Sequence, residues 1–174
     1  MATTEVSKRR LFAPYIRNFI FGVEDSLVST VGLLSGVAIA GVPRSTIFLT
    51  GVVLIFVEAF SMGAGSFLSE SSADEYMSGR TQDGRSFKLG TLMFVSYFIA
   101  GFIPLFPYVL FETAEAFSIS IVCSLVALFV LGLIGGRVTG RHVVKHGIRM
   151  LVVGGLAIGV GILAGQIVGV VTSL

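Results

Sequence analysis

The stretch NFIFGVEDSLVSTVGLLSGVAIAG, Asn18 to Gly41, decides the fold. It exceeds the roughly 20 residues that a helix needs to cross a hydrocarbon core about 30 Å thick, yet it carries two adjacent carboxylates, Glu24 and Asp25. A charge within a membrane helix costs roughly 2.5 to 3.5 kcal/mol, so it marks a bundle interior or a water path. Four more stretches match the first in length and character: about Thr46 to Ser69, Leu89 to Leu110, Ala116 to Gly136 and Ile148 to Thr172. Polar breaks at Val42 to Ser45, Glu70 to Lys88, Phe111 to Glu115 and Arg137 to Gly147 separate them. The sequence predicts an all-α integral membrane protein with five transmembrane helices, near 18–41, 46–69, 89–110, 116–136 and 148–172.

Composition agrees. Of 174 residues, 54% are hydrophobic and 13% charged, against about 25% charged in soluble domains, and the mean hydropathy is +0.94. The 22 glycines suit membrane helices, whose backbones approach closely where side chains are small. The single cysteine, Cys123, lies in an apolar run and reads as buried filler.

Orientation follows from the basic residues, which gather in cytoplasmic loops. With the N-terminus in the cytoplasm, Lys8, Arg9, Arg10, Arg17, Arg80, Arg85, Lys88, Arg137, Arg141, Lys145 and Arg149 all fall inside; of the 12 Lys and Arg, only Arg44 falls outside. The outer loop after the third helix carries Glu112 and Glu115 instead. The C-terminus then faces the lumen or exterior. No cleavable signal is expected, since the first apolar stretch is too long and holds two carboxylates. Residues 1–17 read as a cytoplasmic and interfacial segment with a disordered start of about seven residues and an amphipathic turn around Phe12 and Tyr15. Residues 18–174 read as one membrane domain.

Helical spacing sorts the intramembrane polar groups. From Asp25, steps of four and three reach Ser29, Gly32 and Gly36; from Glu58, in the second helix, they reach Met62, Gly65 and Ser69. Both stripes are polar or small. They predict a polar conduit between helices 1 and 2, or between two copies of one helix, with the glycines permitting close packing. Carboxylates suit hard or borderline cations, and a thioether adds affinity only for softer metals, so iron(II) or manganese(II) fits better than magnesium. Asp25, Glu58 and Met62 are the candidate metal ligands. Glu24, about 100° round the helix from Asp25, and Ser29 are candidate additions to the path. In a low-dielectric surrounding a carboxylate also holds protons more readily, so metal and protons would compete for one site, the minimum needed for antiport.

Several motifs in order resemble the vacuolar iron transporter family. They are FGVEDSLVSTVGLLSGVA at Phe21 to Ala38, SMGAGSFLSESSADEY at Ser61 to Tyr76, GFIPLFPYVL at Gly101 to Leu110, LVALFVLGLIGGRVTG at Leu125 to Gly140, and the Gly154–Gly155 pair of the last helix. The resemblance implies five helices per subunit, a homodimer with its path between subunits, and movement of iron(II) or manganese(II) out of the cytosol in exchange for protons. Asp25 matches the family's helix 1 aspartate and Met62 its helix 2 methionine. This chain departs from the pattern in three places. Leu54 stands where many members carry a glutamate, whose work Glu58 would take over. Ser26 follows Asp25 where a glycine is usual. The short segment from Tyr76 to Lys88 leaves no room for the folded metal-binding domain that some members insert. Its acids, Glu70, Asp74 and Glu75, are candidates for a cytoplasmic mouth that gathers cations, a solvated helix end being the plainer alternative.

Other features weigh less. His142 and His146 have a metal-compatible spacing, but Arg141, Lys145 and Arg149 make the segment basic and point to contact with anionic lipid. Gly161, Gly165 and Gly169 read as a helix-packing motif. Pro104 and Pro107 should kink or end the third helix. No phosphate-cradling loop, nucleophile constellation or cysteine cluster is visible, so neither enzymatic nor ATP-driven activity is expected, nor a permanently bound cofactor or a nucleic-acid partner. The alternatives are a membrane adaptor that kept the fold without transport, and a small multidrug antiporter, a class with four helices and weak charge bias. A prokaryotic plasma membrane is the expected location, with a vacuolar membrane as the alternative.

Overall fold

The computed structural model describes the backbone of residues 2–79, 83–140 and 142–172, and the side chains of 12–77, 79, 84–140 and 142–170. The basic side chains of Lys8, Arg9, Arg10, Arg80 and Arg141 lie outside the described residues. The chain folds into α1 (Ala2–Ile39), α2 (Arg44–Ser78), α3 (Asp83–Leu105), a single turn α4 (Pro107–Leu110), α5 (Thr113–Thr139) and α6 (Val143–Thr172), with no strand among the described residues. Five of these helices are long and apolar enough to cross a membrane. Large apolar side chains such as Leu49, Phe60, Leu156 and Val160 point outward and are exposed. That surface suits hydrocarbon as its solvent.

The helices outrun the apolar stretches. α1 begins at Ala2, where a disordered start was expected, and α2 continues nine residues past Ser69 to Ser78. Hydropathy marks only the part of a helix that lipid covers, whereas Glu70 to Ser78 holds no proline or glycine and keeps its backbone bonds in water. At 35 residues and about 1.5 Å per residue, α2 is about 52 Å long and must project beyond a core of about 30 Å. Gly79 ends it in the left-handed conformation (φ +65°), its N–H donating to Glu75 O at 2.8 Å. The third apolar stretch does break at its prolines. α3 ends at Leu105 and resumes as α4 at Pro107, while the Ser120 hydroxyl donates to the Pro104 carbonyl at 2.7 Å.

α1 lies at the centre of the bundle and touches α2, α3, α5 and α6. Its glycine stripe turns out to face α6. Gly32 lies against Ala157, Gly36 against Gly161 and Gly165 against Gly36, all through backbone atoms, and Gly65 of α2 has nothing within 4 Å of where a Cβ would stand. Close packing of helices 1 and 2 through these glycines, expected above, is therefore corrected. Several helices offer small residues, and spacing cannot say which pair will use them. The expected packing role of Gly161 and Gly165 is the one realised.

The two ends of the bundle differ. At one, here the basic end, Arg17 of α1 pairs with Glu70 of α2, and Arg85 of α3 approaches Asp74 of α2 to 3.9 Å. At the opposite end, Arg44 donates to Phe111 O at 3.0 Å and lies 3.7 Å from Glu112, tying α2 to the loop after α4.

Candidate functional site

α1 and α2 run antiparallel with a polar line between them. From the basic end, the Arg17–Glu70 ion pair comes first. The Ser66 hydroxyl then donates to Asn18 Oδ1 at 3.1 Å. Deeper still, Glu58 of α2 meets Ser29 of α1 through a residue of α3 that the sequence reading passed over, Tyr97. The Tyr97 hydroxyl donates to Glu58 Oε2. Since its one proton is committed there, the Ser29 hydroxyl must donate to Tyr97 Oη, at 2.6 Å. Tyr97 is completely buried. A tyrosine in an apolar helix is itself a signal, because a buried phenol must find a partner.

The helix 1 serine gains a role here. Ser26, where a glycine was expected from the family pattern, is fully buried and donates to the Tyr97 carbonyl at 2.6 Å. Two serines one turn apart on α1 thus grip the backbone and the side chain of one tyrosine, which in turn holds Glu58. Beyond Ser29 the buried surface is mainly apolar, with Thr30 and Ser35 of α1 as buried polar exceptions. Leu34, Ile47, Ile55, Leu105, Tyr108 and Ala116 form a closed cluster toward the opposite end.

Asp25 is half-buried, and its carboxylate feels the charge of Glu58. The like charges repel, which a cation between them would offset. Met62 stands one turn along α2 from Glu58 toward the basic end and is half-buried. Leu54, one turn the other way, lines with Glu58, Ser29, Gly32 and Gly36 a groove of about 740 Å³ along α1, α2 and α6. Positions 54 and 58 therefore look into the same space. Glu24 points elsewhere: it lines a groove with Arg17 and Thr139, and it feels Arg149 of α6.

The three acids expected at the mouth all lie on the last turns of α2 and differ in their surroundings. Glu70 pairs with Arg17, Asp74 is 7% exposed beside Arg85, and Glu75 is exposed. Among the described residues, no three His, Cys, Asp or Glu side chains converge to hold a metal ion. Asp25 of α1 and Glu58 of α2 lie close enough within the spans for their charges to interact.

Comparison with known proteins gives one consistent answer. A family model described as the VIT family matches residues 16–86 and 76–166. Vacuolar iron transporter 1 of Tulipa gesneriana is 25% identical over 203 residues, covering 82% of each chain. The vacuolar iron transporter of Plasmodium berghei (strain Anka) is 21% identical over 213 residues, covering 82% of this chain and 78% of its own. Vacuolar iron transporter 1 of Arabidopsis thaliana is 22% identical over 203 residues, covering 82% and 81% respectively.

Proposed function

Since the chain belongs to the VIT family, we propose that it moves iron(II) or manganese(II) out of the cytoplasm, with protons as the counter-ion. The observation that carries this reading is that Asp25 of α1 and Glu58 of α2 lie close enough inside the membrane spans for their charges to interact, with Met62 one turn along α2 from Glu58. Two repelling carboxylates in low dielectric attract a divalent cation or protons, and the sulfur tilts the preference from magnesium and calcium toward softer ions. The names of the relatives, all vacuolar iron transporters, support iron as a substrate.

The direction rests on charge. The basic end gathers Arg17, Arg85, Lys88, Lys145 and Arg149, which supports a cytoplasmic N-terminus and a lumenal or exterior C-terminus. The ligand set is small for a transition metal, so a second copy of the chain, docked along the α1 groove, would supply the remaining donors. A homodimer is the assembly this reading requires, with residues 18–174 as its membrane domain.

Proteoliposomes decide the matter. Purified chain should carry Fe²⁺ and Mn²⁺ well above Mg²⁺, and a pH step that is acidic on the receiving side should accelerate the flux. Flux indifferent to the pH step would remove the proton from the scheme, and absence of any metal flux would remove transport altogether.

Tyr97 supplies a second test. Tyr97→Phe removes only the hydroxyl, leaving Ser29 and Glu58 without their shared partner. Groups that orient a metal ligand are worth about 10- to 100-fold in affinity or activity. The variant should raise the apparent KM for metal by about tenfold and lose about 1 to 3 kcal/mol of stability from the orphaned polar atoms. An unchanged KM with lowered stability would leave Tyr97 a purely structural residue.

A further inference from the structure

The basic end contains a second cavity, away from the polar line. Thr139, His142, Lys145, His146 and Arg149 line about 450 Å³ of space where α5 hands over to α6. Lys145, His146 and Arg149 share one face of the opening turns of α6, and His142, just before the helix, joins that face through its carbonyl, which accepts from His146 N–H at 3.2 Å. Among the described residues, the lining holds two permanent cations and two imidazoles but no carboxylate. Among the described residues, none of the four takes part in an ion pair, although Arg149 reaches Glu24 electrostatically.

Three further facts define what such a cavity would take. The first backbone N–H groups of α6 lack intrahelical acceptors and add partial positive charge at the same end. Thr139 donates its proton to the Gly135 and Gly136 carbonyls at 2.9 and 3.2 Å, so the donors left for a guest are the basic side chains. A metal ion is disfavoured at the histidine pair, because Lys145 and Arg149 share its cavity. We propose that this cavity binds a phosphate group. Arginine and lysine together match phosphate oxygens well. The membrane span of α6 begins at Val143, so the cavity lies at the level where lipid headgroups carry that chemistry, with dissolved phosphate as the other source.

The full chain in maltoside detergent should be titrated with short-chain phosphatidylglycerol, with inorganic phosphate, and with short-chain diacylglycerol, which lacks phosphate, while the melting temperature is followed. A saturable rise is expected with phosphatidylglycerol and none with diacylglycerol. If inorganic phosphate reproduces the full rise, the site takes the dissolved ion; if it does not, the site takes the lipid headgroup, and either outcome supports a phosphate site. Lys145→Gln and Arg149→Gln should each weaken the apparent affinity about fivefold to tenfold, and Arg149→Lys should retain most of it. Lys145 is exposed and unpaired, so its variant should fold normally. Lys88→Gln, which removes one charge from the same end, should leave the affinity unchanged. A response to neither phosphate compound, or an equal loss in Lys88→Gln, would overturn the proposal in favour of diffuse surface charge.

Discussion

Asp25→Asn is expected to reduce iron(II) and manganese(II) flux by on the order of a hundredfold or more while leaving the protein folded. Removing a group that merely orients a metal ligand already costs about 10- to 100-fold, and Asp25 is proposed as a ligand itself. The substitution keeps the size and the hydrogen-bonding capacity of the side chain and deletes its charge. Folding should not suffer, because the lost charge is half-buried and repelled by Glu58. The melting temperature should hold or rise as flux disappears, a combination that general destabilisation cannot produce. Met62→Ala should also suppress flux, and should shift the preference among metals toward those with no use for sulfur. Flux and melting measured on the same preparations check both variants; undiminished flux in Asp25→Asn would dissociate the carboxylate pair from transport.

The largest expected effect on stability lies at the α1–α6 contact. A Cβ on Gly36 would stand 2.5 Å from the Gly161 carbonyl oxygen, and a Cβ on Gly161 would overlap the Gly32 carbonyl. Both obstacles are backbone, which cannot rotate aside as a side chain can. Overpacking ordinarily costs about 1 to 3 kcal/mol, and Gly161→Leu should exceed that range and force the helices apart. Gly159, two residues away on the same helix, has nothing within 4 Å of a built Cβ. There Gly→Ala should stabilise α6 by up to about 1 kcal/mol through helix propensity alone. Opposite signs at 159 and 161 in thermal melts are the expected result, and equal effects would mean that the helices do not meet through Gly161.

How much of this was legible beforehand depended on where each residue's energy comes from. The five spans were readable because lipid imposes a length of apolar chain that little else requires. The polar ends of α1 and α2 were not, since a helix in water leaves no hydropathy trace. Asp25 and Glu58 announced themselves through the cost of placing charges among hydrocarbon, and Ser29 through its helical spacing from Asp25. Their mutual arrangement did not follow from spacing, because it passes through Tyr97 on a third helix. The glycines were legible as contacts but not as partners: Gly32 and Gly36 found α6, and the link between α1 and α2 fell to side chains such as Arg17, Asn18, Ser66 and Glu70.

That choice of partner has a consequence for how the protein is made. α1 leaves the ribosome before the other five helices, and the backbone surface it needs on α6 is made only after α2 to α5. Until then Gly32 and Gly36 have no counterpart, and one flank of the helix bearing Glu24 and Asp25 stays uncovered. A nascent chain halted before Gly161 should accordingly remain a substrate for membrane quality control, however well its earlier spans have inserted.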